Sequence, residues 1–312
     1  FKNNYSIGGE RMSFSNQVKS EICNSINSRN GRIACLYGIL LFSKRFDTEG
    51  VCFQTENLDV SRLFVKLCDE VFRKKVCFNQ ESVTKKNGTC GKNSFTLTDK
   101  KQIRHIFETF GLKKGERHIN NFKIPHNSTG AFVAGAFLSC GSIVDPNKQY
   151  HLEFAVPEEQ LSAELSMVLQ VIDIKRREVR RKNYYIVYMK ESEEIEDILT
   201  FMGAKQSRLD LSNIIILKDM INRVNRITNC DKANIDKQLK TAERQLDDIK
   251  LIIENDAMKD LPKELREVAE IRLNNPEYSL KEIGESLSKP IGRSGVTRRF
   301  AKISQLAEKD RK

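Results

Sequence analysis

The chain has 312 residues, of which 30% are charged and 39% are hydrophobic, and this size and composition are typical of a globular protein with two or three domains. Its formal net charge of +11 favours polyanionic partners, meaning nucleic acid or an anionic membrane surface. No stretch reaches the roughly 18 apolar residues of a membrane span, no signal-peptide pattern opens the chain, and the eight cysteines form no CxxC pair. These features exclude a membrane or disulfide-framework protein and predict a cytoplasmic one.

The start of the chain resembles a translated leader. The segment MSFSNQVKSEI begins at Met12, and it follows Gly8-Gly9-Glu10-Arg11, which a purine-rich run like a ribosome-binding site could encode. We therefore expect residues 1–12 to be a leader outside the folded domains.

A weak internal duplication follows the leader. The two halves, residues 13–118 and 119–205, open with the small-residue helices ACLYGILLF and AFVAGAFLSCG. Each continues with a strand, an amphipathic helix, a strand pair and a closing helix that ends at a glycine suited to a C-cap, Gly111 or Gly203. Two such units predict a pseudo-twofold α+β body.

The strand patterns end at Gly203, and residues 206–258 predict a helical linker. We expect two helices there, Leu211–Ile227 and Asn234–Glu254, with Asp231 as the capping residue of the second.

Residues 259–312 have the pattern of a helix-turn-helix domain. The sequence Ser279-Leu280-Lys281-Glu282 predicts a capping box at the start of its second helix. The last helix, Arg293 to Ala307, is predicted to place Val296 and Phe300 on its inner face.

The outer face of this last helix and the turn before it are basic and contain no acid between Lys289 and Lys302. Arg293 and Arg298 are predicted to read bases, since the arginine fork matches O6 and N7 of guanine. Phosphate contacts are expected from Lys289, Arg299 and Lys302. Ser294 and Thr297 complete the predicted DNA-binding set. The alternative is a small helical module for protein contact, with a solvated basic face.

A second basic segment precedes the strand YYIVYMK and is predicted to form a β-hairpin that contacts the DNA backbone. The alternative is a merely solvated hairpin. The predicted contact residues are Lys175, Arg176, Arg177, Arg180, Arg181 and Lys182.

The segment AFVAGAFLSCGSI resembles the second repeat of LAGLIDADG homing endonucleases, and ACLYGILLF is a weaker match. A duplicated domain of this kind with a terminal helix-turn-helix is characteristic of the WhiA family of bacterial regulators. MSFSNQVKSEI, GAFLSCGSIVDPNKQYHLEF, MINRVNRITNCDKANIDKQL and LPKELREVAEIRLNNPEYSLKEIGESL are also similar to that family. The resemblance implies an α+β duplicated LAGLIDADG-like domain followed by an all-α helix-turn-helix domain, with a role in transcription control linked to cell division, chromosome segregation or sporulation.

The acidic positions of the endonuclease motif are degenerate in this chain. Aligning Gly38 and Gly135 with the glycine of the motif places Ser43 and Cys140 where endonucleases carry their metal-binding acids. A hydroxyl and a thiol supply no charge to hold Mg²⁺. Only Asp47 and Asp145 lie near enough to substitute for those acids. The two glycines are expected to serve close helix packing instead.

We therefore predict a sequence-specific regulator without nuclease activity, cofactor, metal or small-molecule substrate, because neither nucleotide-binding motifs nor metal-ligand spacings occur. Its expected partners are double-stranded DNA and, from the family resemblance, RNA polymerase or a sigma factor. The alternatives are an architectural nucleoid-associated protein, an active endonuclease and an RNA-binding maturase.

Overall fold

The computed structural model describes residues 12–84, 90–113 and 117–310 of the chain. The predicted leader lies outside the described residues, apart from Met12. The chain divides into two compact units, Phe1–Lys218 and Asp219–Lys312. Each unit has its own hydrophobic core.

The first half of unit one is an α+β module whose strands form an antiparallel sheet in the order β1-β2-β4-β3. Its elements are α1 (Phe14–Ser25), α2 (Arg29–Leu41), β1 (Arg45–Asp47), β2 (Gly50–Thr55), α3 (Leu58–Phe72), β3 (Asn79–Thr84), β4 (Cys90–Leu97) and α4 (Lys100–Phe110).

The second half repeats this arrangement, with an antiparallel sheet in the order β5-β6-β8-β7. Its elements are α5 (Thr129–Cys140), β5 (Gly141–Ile143), β6 (Leu152–Val156), α6 (Glu159–Val171), β7 (Arg177–Arg181), β8 (Tyr184–Met189) and α7 (Ser192–Phe201). The identical strand order confirms the predicted duplication, and it adds a short first strand, β1 or β5, that the sequence patterns did not predict.

Glycines end the closing helices of the two halves, as predicted. Gly111 follows α4 with a φ of 62°, and the amide of Leu112 donates to the carbonyl of Phe107 at 2.8 Å. Gly203 has a φ of 89° just beyond α7, and the next amide, of Ala204, donates to Leu199 at 2.8 Å. This left-handed conformation lets the last carbonyls of each helix find donors, and glycine adopts it without a steric penalty.

The two halves meet through α2 and α5, which lie so close that their backbones touch. A Cβ atom built on Gly38 would lie 2.2 Å from the Phe132 carbonyl oxygen, and one on Gly135 would lie 2.1 Å from the Cys35 oxygen. No side chain fits at either position, which confirms the predicted packing role of these glycines.

Strand alternation gives each sheet two different faces. The inner face packs into the core of unit one, and its side chains include Val51, Phe53, Phe95 and Leu97 in the first sheet and Leu152, Phe154, Val187 and Met189 in the second. The opposite face, called the outer face below, carries Cys52, Gln54, Ser94 and Thr96 in the first sheet and Glu153, Ala155, Ile186 and Tyr188 in the second.

The predicted pair of linker helices is wrong, because one helix, α8, runs without a break from Lys205 to Glu254. Asp231 lies inside it and caps nothing. The polar run from Thr228 to Ala233 contains neither glycine nor proline, and weak helix formers cost only tenths of a kcal/mol each, whereas every continued residue adds a hydrogen bond. Across the described chain, α8 included, no helix is both long and apolar enough to cross a membrane.

Unit two contains the C-terminal part of α8 and three further helices, α9 (Lys263–Asn274), α10 (Leu280–Glu285) and α11 (Arg293–Asp310). The capping box predicted at Ser279 and Glu282 is present: the Ser279 hydroxyl accepts from the Glu282 amide at 3.3 Å, and the carboxylate accepts from the Ser279 amide at 2.7 Å. The predicted inner face of the last helix is confirmed, because Val296, Phe300, Ile303 and Ala307 are all buried.

The helix contact makes a direct prediction for unit one. Gly135→Ala should destabilise it by about 1–3 kcal/mol or more, because the added methyl group overlaps a backbone carbonyl that cannot rotate away. Denaturant unfolding of the full chain measures the loss. Gly50→Ala is the matched control, since its nearest neighbours are the flexible end of Arg45 at 3.2 Å. Equal unfolding midpoints for the two variants would contradict the close contact.

Candidate nucleic-acid interface

The helix-turn-helix of unit two exposes most of the residues predicted to contact DNA. Val296 and Phe300 anchor one side of α11 in the core, so its other side faces solvent. The exposed predicted residues are Lys289, Arg293, Ser294, Thr297, Arg298 and Lys302. The Thr297 hydroxyl donates to the Arg293 carbonyl at 2.9 Å, so its free capacity is as an acceptor.

Arg299 differs from the other members of the predicted set. Its side chain is only 17% exposed, and its guanidinium lies 3.2 Å from the Glu264 carboxylate on α9. Its predicted phosphate role therefore competes with a contact that holds α11 against α9.

The turn between α10 and α11 depends on a glycine that our sequence analysis missed. The amide of Ile291 donates to the Gly284 carbonyl at 3.1 Å, so the chain folds back onto the end of α10. A Cβ on Gly284 would lie 2.2 Å from the Ile291 oxygen. The available signal was a glycine inside a short amphipathic helix, where it costs helix stability and needs a packing reason.

Glu267 holds the other end of this turn. Its carboxylate accepts from the Ser288 amide at 2.5 Å and from the Ser288 hydroxyl at 3.2 Å. These hydrogen bonds lower the pKa of Glu267 and keep the carboxylate charged. The loop that carries Lys289 is thereby tied to α9.

A buried arginine, also missed by the sequence analysis, lies beneath α11. Arg272 is 2% exposed and donates to Gln245 on α8 at 3.1 Å and to the carbonyls of Pro276 and Tyr278 at 3.0 and 2.6 Å. Its guanidinium carbon lies 5.7 Å from the centre of the Phe300 ring. The signal was present in the sequence, since Arg272 continues the apolar face of Leu265, Val268 and Ala269 at helical spacing.

In unit one, Ser43 and Cys140, which the sequence predicts to stand in place of the metal-binding acids, have hydrogen-bonding partners of their own. Ser43 is buried and donates to the carbonyls of Leu40 and Arg45 at 2.7 and 3.0 Å. The thiol of Cys140 accepts from the Ala155 amide, and burial raises its pKa to about 12, so it stays neutral at neutral pH.

A cation that sequence reasoning did not identify lies at the ends of these helices. The guanidinium of Arg117 donates to the Leu41 carbonyl at 2.6 Å and to the Ser43 carbonyl, and it pairs with Glu158 at 3.3 Å. It thereby satisfies carbonyls at the negative end of the α2 dipole. Lys19 also lies near Cys140; burial lowers its pKa, and its ammonium lies 5.7 Å from the Phe137 ring centre.

The two acids near the degenerate positions already have partners. Asp47 binds Arg45 through two contacts of 2.7 and 3.1 Å, and Asp145 accepts from the amide of Asn147 at 2.9 Å. Within the described ranges, no cluster of three His, Cys, Asp or Glu side chains could hold a metal ion.

The basic hairpin β7–β8 exists, but strand alternation distributes its cations over two faces. Arg177 and Arg181 pair with Tyr188 and Tyr184 on the outer face, whereas Arg180 opposes Tyr185 on the other face and lies 5.5 Å from its ring centre. Lys182 forms the turn with a φ of 55°. The flanking residues Lys175 and Arg176 contact Glu194 at 3.9 Å and Gln170 at 3.0 Å, respectively. The six predicted residues therefore do not form one patch.

Comparison with known proteins matches two family descriptions to this chain. The WhiA LAGLIDADG-like domain matches residues 129–221, and the WhiA C-terminal HTH domain matches residues 224–307. A relative named probable cell division protein WhiA, from Clostridium acetobutylicum, is 37% identical over 96% of this chain and 99% of its own length. One of the same name from Clostridium perfringens is 37% identical over 95% and 98%.

A solved structure is similar over nearly the full length. The crystal structure of full-length DUF199/WhiA from "Thermatoga maritima" aligns with a TM-score of 0.56 and 25% identity, and it covers 96% of this chain and 99% of that one. The two halves with four-stranded antiparallel sheets and the helical domain after them agree with the fold expected from the sequence.

The turn offers a second prediction. Gly284→Ala should destabilise unit two by about 1–3 kcal/mol, because the methyl group displaces the Ile291 carbonyl and the turn with it. Gly292→Ala is a matched control in the same turn, since no atom lies within 4 Å of its Cβ position; we expect a change within about 0.5 kcal/mol. Hydrogen exchange of residues 280–303 in the full chain measures both, and equal protection in the two variants would refute the assigned contact.

Proposed function

Because this chain belongs to the WhiA family, we propose that it is a sequence-specific DNA-binding regulator linked to cell division. Its helix-turn-helix would dock in the major groove and read a short site. Control of transcription, and a part in chromosome segregation or sporulation, belong to this proposal, as does an expected location at the bacterial nucleoid in the cytoplasm.

One observation carries the proposal: α11 is packed on one side and, on the other, presents Arg293 and Arg298 to solvent together with Ser294 and Thr297. No acid interrupts the sequence from Lys289 to Lys302. This arrangement favours base reading by the two arginines and phosphate binding by Lys289 and Lys302, with Arg299 contributing when Glu264 releases it.

We assign the remaining regions by the same reasoning. The duplicated domain, residues 13–118 and 119–205, would add salt-dependent backbone affinity through Lys175, Arg176, Arg177, Arg180, Arg181 and Lys182, or would contact RNA polymerase or a sigma factor. Residues 206–258 would connect it to the reading domain, residues 259–312.

The absence of nuclease activity is also a proposal, and it rests on the ends of α2 and α5. Phosphodiester hydrolysis of the endonuclease type needs carboxylates that hold divalent metal. Here Ser43 and Cys140 are neutral, and Asp47 is bound to Arg45. The positive charge of the Arg117 guanidinium would also repel a divalent metal ion.

The reading helix yields a quantitative prediction. Arg298→Ala should weaken binding to the cognate promoter by about 1–3 kcal/mol and relax the preference at one base pair. Lys302→Ala, the contrasting variant, should weaken binding to all sequences alike and lower the slope of log K against log salt by about 0.9. Binding series of the full chain on cognate and mutated duplexes measure both effects. Unchanged promoter affinity of Arg298→Ala would remove the base-reading assignment.

The nuclease question has its own experiment. Supercoiled plasmid incubated with the full chain and Mg²⁺ should remain supercoiled, because no charged ligand set is available for the metal. Nicking that EDTA abolishes would show that the chain has kept endonuclease chemistry.

A further inference from the structure

The outer face of the second sheet carries an aromatic and basic pattern that duplex reading by α11 does not require. Tyr184 and Tyr188 lie on this face of β8, directly opposite Arg181 and Arg177 of β7. Between these two Arg–Tyr pairs, Val179 faces Ile186. The result is an apolar strip with an aromatic ring and a guanidinium at each end.

Much of this surface is open to solvent. Tyr184 is 43% exposed and Val179 is 44% exposed, although β-branched and aromatic side chains in a sheet usually pack. The side chains of Arg177 and Arg181 are 62% and 61% exposed. Ile186, between them, is only 3% exposed, so the surface open to a ligand consists of Val179, the Tyr184 ring and the two guanidiniums.

The ring of Tyr188 is held in place by its neighbours. His151 lies beside Tyr188 with ring centres 5.5 Å apart, and the ammonium of Lys190 lies 5.4 Å from the Tyr188 ring centre. Held aromatic rings lose little entropy when a planar ligand stacks on them, and the cations beside them can pair with phosphate.

The first sheet lacks this pattern although it has the same topology. Its outer face carries Cys52, Gln54, Ser94 and Thr96, and no described position on that face is aromatic. Its described cations include Arg45, which is paired with Asp47 at 2.7 Å, and Lys92, which is exposed on β4. The pattern therefore belongs to the second half and does not follow from the duplicated fold.

We propose that the outer face of the second sheet binds single-stranded nucleic acid, with unpaired bases stacking on Tyr184 and Tyr188 and the backbone phosphates pairing with Arg177 and Arg181. Stacking of this kind tolerates any base sequence, because every base has a π face. A paired duplex hides its base faces, so this ligand class is distinct from the duplex that α11 reads.

One acid on this face opposes such binding. Glu153 lies 3.6 Å from Arg181 and 2.9 Å from His151, and Glu191 lies 3.2 Å from Arg177. The Arg177–Glu191 pair is exposed and therefore weak, so a phosphate can displace Glu191, whereas Glu153 is only 20% exposed and its negative charge remains on the face beside Arg181. Removing that charge by Glu153→Gln should therefore tighten binding.

The test measures binding of the full chain to fluorescently labelled oligo(dT), oligo(U) and an abasic deoxyribose-phosphate strand of equal length, at fixed salt. We expect both base-bearing strands to bind more tightly than the abasic strand, and their ranking identifies DNA or RNA as the preferred source. Tyr184→Ala and Tyr188→Ala should each weaken oligo(dT) binding about fivefold or more, whereas Tyr184→Phe, which keeps the ring, should bind as the parent does. Glu153→Gln should bind several-fold more tightly.

Removal of single cations tests the phosphate contacts. Arg181→Ala should lower the salt slope for single strands by about 0.7, whereas Arg104→Ala, which removes an exposed cation from α4 in the other half, should leave the slope unchanged. The Arg298→Ala variant separates this site from promoter reading, because it should lose promoter affinity and keep single-strand binding. Equal affinity for the abasic strand and oligo(dT), or unchanged binding by Tyr184→Ala, would overturn the proposal even where promoter reading holds.

Discussion

The backbone contact between α2 and α5 is the constraint on which unit one depends. Two helices can bring the carbonyl oxygens of one against the α-carbons of the other only where no side chain lies between them. Gly38 and Gly135 leave this space free at equivalent places in the two halves. This reciprocal contact joins the two halves, and the short first strand of each sheet, β1 or β5, follows the helix that makes the contact.

The same contact accounts for the buried cation at the end of α2. Close helices that end together bring their carbonyl ends together, and the dipoles add negative potential there. A metal-binding enzyme would balance this potential with divalent ions and acids. In this chain Arg117 supplies a positive charge at the α2 end and satisfies two carbonyls, while Ser43 satisfies its own hydroxyl locally.

In unit two, the basic helix α11 is held in a defined orientation although one of its sides is exposed. The apolar side of α11 packs into the core, but hydrophobic packing by itself does not fix the orientation of a helix. The orientation of the helix is set by hydrogen bonds beneath and beside it. Arg272 donates to Gln245 and to the carbonyls of the turn, and Glu267 accepts from Ser288. Buried polar groups with satisfied hydrogen bonds restrict the alternatives available to a small core. The exposed side chains of α11 can therefore keep a fixed spacing.

The sequence by itself determined the duplicated α+β body, the helix-turn-helix and its inner face, the capping box at Ser279 and the glycine ends at Gly111 and Gly203. These features depend on local periodicity and on residues with special backbone preferences, so neighbours in the chain suffice to specify them. The continuity of α8 through Asp231 was also available from the sequence, because no glycine or proline interrupts that part of the chain. Tertiary structure decided the rest. It placed Arg117 at the α2 end across a long stretch of chain. It also divided the hairpin cations between two faces, since only the register of β7 against β8 says which side chain points where.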